Sequence, residues 1–197
     1  MSAPLAPEEG RVLLTLARRA IARKLRQPVG ELPELPFRLR EALGVFVTLR
    51  RRADGELRGC IGYVEPRFPL AEGVAHAARA AAFEDSRFEP VRPDELDGLV
   101  IDVSVLGAPE PIAPDQVQVG VHGLILRHQG RTGLLLPQVP VEQGWDRIAF
   151  LEYTCRKAGL PPGTWRQPEA QLLGFSAQVF EEEQASTRQG REGTSDE

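Results

Sequence analysis

The sequence of 197 residues predicts an α+β fold, an antiparallel sheet packed by helices. Three observations point to it. Apolar residues recur at helical spacing in three separate stretches. Two pairs of extended runs are each joined through a turn signal, Asp54-Gly55 in one and Gln129-Gly130 in the other. Strands and helices then follow one another without the regular alternation that builds a parallel sheet. A hydrophobic fraction of 42% against 26% charged suffices for one filled core and excludes a wholly disordered chain.

From Glu8 to Gln27, Val12, Leu13, Leu16, Ala17, Ala20, Ile21 and Leu25 form an apolar helical stripe. Arg23, Lys24 and Arg26 occupy its last turns, where cations suit the negative end of the dipole, and Pro28 ends it. Pro28, Gly30, Pro33 and Pro36 make an irregular connector. Val45 to Arg51, the Asp54-Gly55 turn and Glu56 to Tyr63 read as a hairpin. Leu70, Val74, Ala77, Ala78 and Ala81 mark a second helix that stops before Asp85. Pro90 and Pro93 keep the next segment a loop, with one helical turn at Asp94 to Asp97.

Leu99 to Leu106 alternates, with Leu99, Ile101, Val103 and Val105 on one face and Asp102 and Ser104 on the other. Leu124 to Arg127 and Thr132 to Leu136 form the second hairpin, with His128 beside its turn. Trp145 to Ala158 is a third helix, its stripe formed by Ile148, Leu151, Cys155 and Ala158, and Gly159 and Pro161 terminate it. Leu172 to Phe180 reads as a final strand. Residues 1–180 form one domain, and Glu181 to Glu197, polar and without aromatics, reads as a disordered tail.

Composition narrows the function. A net charge of −4 argues against a dedicated nucleic-acid binder, whose affinity rests on neutralising phosphates. No run approaches the roughly 18 apolar residues that span a bilayer, and Met1 to Glu9 lacks the layout of a secretory signal. Two cysteines, Cys60 and Cys155, make no disulfide framework and suit a reducing cytoplasm. Neither a phosphate-binding loop, nor a dinucleotide fingerprint, nor a serine-nucleophile elbow is present, and no cofactor is indicated. Metal binding is poorly supported, because the cysteines lie far apart and no tight Cys or His pair occurs.

The best candidate site is Arg58-Gly59-Cys60-Ile61-Gly62. In a strand, Leu57, Gly59 and Ile61 share one face, and Arg58, Cys60 and Gly62 the other. Leu57 and Ile61 claim the core, which places Cys60 beside Arg58 on the opposite face. A neighbouring guanidinium would favour the thiolate, and Gly59 and Gly62 would let a ligand approach closely. Arg50, sharing a face with Thr48 on the preceding strand, could join Arg58 around an anion. His122, between Gly120 and Gly123, is a candidate base for Cys60, with a turn residue as the alternative. Asp85 and Arg87 would bind a polar substrate or brace their loop. Cysteine is also a common apolar filler, so a buried, inert Cys60 is the competing reading.

Leu57 through Gly62 resembles the signature of the AMMECR domain family, whose prokaryotic members are called AmmeMemoRadiSam system protein A. Further matches follow in order: residues 81–88, 119–124, 134–139, 144–146 and 155–160, so the resemblance covers about Glu8 to Phe180. It implies a two-lobed α+β fold and a pathway shared with Memo-type and radical-SAM proteins, and no settled activity. The expectation is a small-molecule-binding or thiol-dependent accessory enzyme acting on an anionic substrate. The alternative is a non-catalytic module that docks a protein or, less in keeping with the charge, a nucleic acid.

Overall fold

The chain begins with α1 (Pro7–Lys24), the hairpin β1 (Gly44–Arg51) and β2 (Leu57–Tyr63), then α2 (Leu70–Phe83) and β3 (Leu99–Leu106). It continues through β4 (Glu110–Pro111), β5 (Gly123–His128), β6 (Arg131–Leu135), α3 (Gln138–Glu142) and α4 (Arg147–Lys157), and closes with β7 (Gln171–Phe175) and β8 (Ala177–Glu181). This is a computed structural model, and it describes residues 4–182. The strands form two antiparallel sheets, in the orders β2-β1-β3-β8 and β4-β7-β5-β6. The fold is α+β, with helices packed on sheet. Among the described residues no helix is long and apolar enough to cross a membrane.

Period-two alternation decides how the first sheet is used. Val45, Val47 and Leu49 of β1 and Ile101, Val103 and Val105 of β3 are buried with Leu13, Ala17 and Ile21 of α1 and the alanines of α2. The small side chains of α2 let both helices lie close on that face. The other face carries Phe46, Thr48, Arg50, Asp102, Ser104 and Leu106. Phe46 and Leu106 join Ile125, Leu136 and Phe175, so the second lobe seals one end of this face. Thr48, Arg50 and Asp102 stay at the unsealed end, where they line a cleft. A separate core holds β5 to α4 through Leu124, Leu126, Phe150, Leu151 and Cys155.

Several boundaries differ from those the sequence predicts. The expected single strand Leu172 to Phe180 breaks at Ser176: β7 belongs to the second sheet and β8 to the first. Ser176 accepts a hydrogen bond from Gly107 N–H where the chain crosses between sheets. The first helix ends at Lys24, with Arg26 in the left-handed region at φ 59°. Ile148, expected on the buried stripe of the last helix, is 43% exposed, and Phe150 and Thr154 take its place. His128 is buried rather than a turn residue. Glu181 ends β8, and the Glu182 carboxylate accepts from Arg18 and from Ile101 N–H, so the polar segment begins inside the fold. The rest of the expected tail, residues 183–197, lies outside the described residues.

Candidate functional site

β2 lies at the edge of the first sheet, and two of its glycines answer to crowding. A Cβ at Gly59 would stand far inside contact distance of the Ala81 carbonyl oxygen in α2, and one at Gly62 would strike Phe46 and the Val45 carbonyl. The expected roles of Gly59 and Gly62 in admitting a ligand therefore give way to close packing of the protein on itself. Cys60, between them, sits opposite Thr48 on the face turned away from the helices, as alternation predicts. Thr48 in turn faces Asp102, and Asp102 faces Glu181. Cys60, Thr48, Asp102 and Glu181 thus make a polar row across all four strands.

Arg58 does not share this row. The β1–β2 register shifts between Leu49 and Arg50, pairing Leu49 with Gly59 but Arg50 with Leu57, so Arg58 is the extra residue of a bulge. Its guanidinium turns to Glu95, with Nε–Oε1 at 3.1 Å and Nη2–Oε2 at 3.2 Å. The expectation that Arg58 activates Cys60 fails because the bulge breaks the alternation on which it rested. Thr48 Oγ1 donates to Cys60 Sγ at 3.3 Å. Burial pushes the Cys60 thiol above its ordinary pKa, against the opposing pull of Thr48 and of the Arg87 and Arg50 charges.

His122 belongs to a turn leading into the second sheet, where its Nδ1 accepts from Gln118 N–H at 3.1 Å. The groups that act most on the Cys60 thiol are instead Thr48, Arg87, Asp85 and Arg50. Iodoacetamide should therefore modify Cys60 slowly at neutral pH, at a rate still climbing above about pH 8.5, the ordinary cysteine value. His122→Ala should leave that profile unchanged. A plateau at or below neutral pH, read by mass spectrometry, would contradict this account.

Asp85 and Arg87 are joined to Cys60 through its backbone. Asp85 Oδ2 accepts from Cys60 N–H at 2.9 Å and from Arg87 Nη2 at 2.6 Å, and Oδ1 accepts from Arg87 Nε at 2.9 Å. Arg87 Nη2 also donates to the Cys60 carbonyl at 3.4 Å. The Arg87 guanidinium holds the Asp85 carboxyl well below the usual range. The pair satisfies the outward donor and acceptor of an edge strand and fastens it to the end of α2. That geometry matches the bracing alternative of the sequence reading.

The open end of the polar row is a cleft of about 520 Å³, walled by β1, β3 and β8 and by α3. Arg50 spans it, placing Nε 3.4 Å from Asp102 Oδ2 and Nη2 3.3 Å from Glu142 Oε1 on α3. Arg51, at the rim, is tied to Asp54 and Glu56. Burial, reinforced by the neighbouring Glu181 charge and opposed by Arg50, pushes the Asp102 carboxyl up to about 6. A carboxyl so displaced within a cleft marks an environment that disfavours further negative charge. Gln138 also lines the cleft, and its Oε1 is buried with no hydrogen-bond partner among the described residues.

Sequence reasoning paired Thr48 with Arg50 and noted Asp102 on the polar face of its strand. It missed Gln138, Glu142 and Glu181. The first two reach the cleft on a five-residue helix that no periodicity announces, and Glu181 was assigned to the tail.

The AMMECR1 family model matches residues 14–180. A protein of Methanopyrus kandleri is 48% identical over 194 residues, covering 93% of each chain. One from Thermococcus gammatolerans is 51% identical over 187 residues, covering 89% of this chain and 91% of its own. The crystal structure of an uncharacterized protein from Pyrococcus horikoshii, 45% identical, superposes with a TM-score of 0.83 over 89% of this chain and 92% of that one.

Proposed function

The chain belongs to the AMMECR1 family, and from that premise we propose that it is a binding protein whose cleft at Thr48, Arg50 and Asp102 takes a small polar ligand through a cationic group. The observation that carries this reading is the charge of the lining. Asp102, Glu142 and Glu181 face Arg50, which already holds the first two, while Glu182 is paired with Arg18, and Arg51 with Asp54 and Glu56. An incoming anion would have to displace those pairs, whereas a cation would favour the Asp102 carboxylate that burial and the neighbouring Glu181 charge disfavour. The ligand is thus of opposite sign to the anionic substrate expected from the sequence, in which Arg50 joins Arg58 around an anion.

A thiol-dependent reaction at Cys60 is less well supported, since burial holds the sulfur in its thiol form. As part of the same proposal, the protein works in the cytoplasm alongside the Memo-type and radical-SAM partners that the family's prokaryotic name carries. A non-catalytic binding role suits such a setting.

Agmatine, a small guanidinium amine, and citrate make the contrasting probes. Agmatine should raise the melting temperature and citrate should not. The sign with pH follows from Asp102: its carboxylate attracts the cation and its neutral acid does not. Affinity should fall about tenfold between about pH 7.5 and pH 5, as Asp102 takes up its proton. Asp102→Asn should lose both the affinity and its pH dependence. Stabilisation by citrate and not by agmatine, in calorimetric titration or melting, overturns the reading.

A further inference from the structure

We propose that the cation received by the cleft is the side chain of an extended basic peptide, a segment of a partner protein that adds as a strand to the edge of β8. This rests on the cation-binding reading of the cleft and goes on to say what presents the charge.

The first sheet has two edges, β2 and β8, and they differ. On β2, the outward N–H and carbonyl of Cys60 are held by Asp85 and Arg87. On β8, the register fixes which groups point outward. Glu182 N–H donates to the Ile101 carbonyl and Gly107 N–H to the Ser176 carbonyl, both toward β3. By the alternation of an antiparallel ladder, residues 178 and 180 also turn their backbone inward, and Ala177, Val179 and Glu181 turn theirs outward. Among the described residues no strand covers this edge. Val179, at its centre, is 39% exposed.

A strand laid along an edge sends alternate side chains to the two faces of the sheet. Beside β8 each face has a cavity. One is the cleft. The other is a groove of about 830 Å³ on the helix side, floored by Leu14, Ala22, Val29 and Phe180. Val179 and Glu181 line both. Arg19 also lines the groove, and its Nη1 is buried with no partner among the described residues, a donor placed for a peptide carbonyl. The occupant is therefore an extended chain alternating basic with apolar residues. Its basic side chain stands across from Glu181 and reaches toward Asp102 and Glu142, and its apolar neighbour enters the groove beside Phe180.

Two other occupants fit less well. Residues 183–197 contain no Val, Ile, Leu, Met or aromatic residue to fill the groove. A second copy pairing through Ala177-Gln178-Val179-Phe180-Glu181 brings no cation to the cleft.

The test uses the full chain with acetyl-Arg-Leu-Arg-Leu-Arg-Leu-amide, a twin N-methylated along one edge, and a Glu-Leu counterpart. The Arg-Leu peptide should bind at least tenfold more tightly than the twin or the counterpart. It should slow hydrogen exchange at the Val179 and Glu181 amides about tenfold, and Glu181→Lys should weaken it about tenfold. Equal binding of the N-methylated twin, or protection elsewhere, overturns the proposal. If agmatine still binds through Asp102, the cleft reading survives that failure; if agmatine fails too, both fall. Slow exchange of those amides in the free monomer, or protection that grows with protein concentration, overturns the proposal in favour of the chain's own residues 183–197 or of a second copy.

Discussion

Gly59→Ala is expected to lower stability by about 3 kcal/mol or more, the upper range for overpacking a well-filled interior. The added methyl would meet the Ala81 carbonyl, which is helix backbone and cannot rotate aside as a flexible side chain would. Either β2 lifts from α2 or the last turns of α2 shift, and both carry the Asp85 latch with them. Gly30→Ala is the matched control. A Cβ at Gly30 meets nothing within 4 Å, so its change should stay within about 0.5 kcal/mol, as at an ordinary surface site. Urea unfolding followed by circular dichroism measures both. A Gly59→Ala midpoint equal to that of Gly30→Ala would mean that β2 does not press on α2 as described.

Asp85→Asn is expected to cost about 2 kcal/mol, the scale of hydrogen bonds to a charged group. The amide keeps the shape but loses the charge that holds the Arg87 fork and one acceptor of its donors. Asp85→Ala should cost more, since the outward Cys60 N–H is then left without its acceptor. The pH dependence has a definite sign. The Asp85 pKa is depressed in the folded protein, so its contribution is fully present above the ordinary carboxyl value of about 4 and is lost as pH falls through the lowered one. The gap between wild type and Asp85→Asn should hold constant from neutral to mildly acidic pH and close only in stronger acid. Faster hydrogen exchange at the Cys60 amide in the variant would tie the loss to the edge of β2. A gap that closes near pH 6 would place the effect on another group.

The two predictions concern the same six-residue signature, and they change its meaning. Read as a sequence, Leu57 to Gly62 looks like a reactive centre with room around it. In the structure its glycines are filled by α2 and by β1, its arginine is held by Glu95, and its cysteine backbone is latched by Asp85. The signature is largely the requirement for seating an edge strand on a helix, and the open cleft lies further across the sheet.

The sequence by itself determined the elements whose signals are local. The apolar stripe of α1, the Asp54-Gly55 and Gln129-Gly130 turns and the alternation of β3 all arise within a few residues, because backbone geometry and burial impose fixed periods. They are enough for the α+β class, and the alternation of Cys60 with Ile61 in β2 sets Cys60 on the face away from the helices. Only the tertiary structure decided which charges meet. Glu95 reaches Arg58 from 37 residues away and Glu142 reaches Arg50 from 92. The break at Ser176 sends one extended run into two sheets and brings Glu181 beside Asp102. The effect of an ion pair depends on separation in space and on local dielectric, and neither is written in the order of residues.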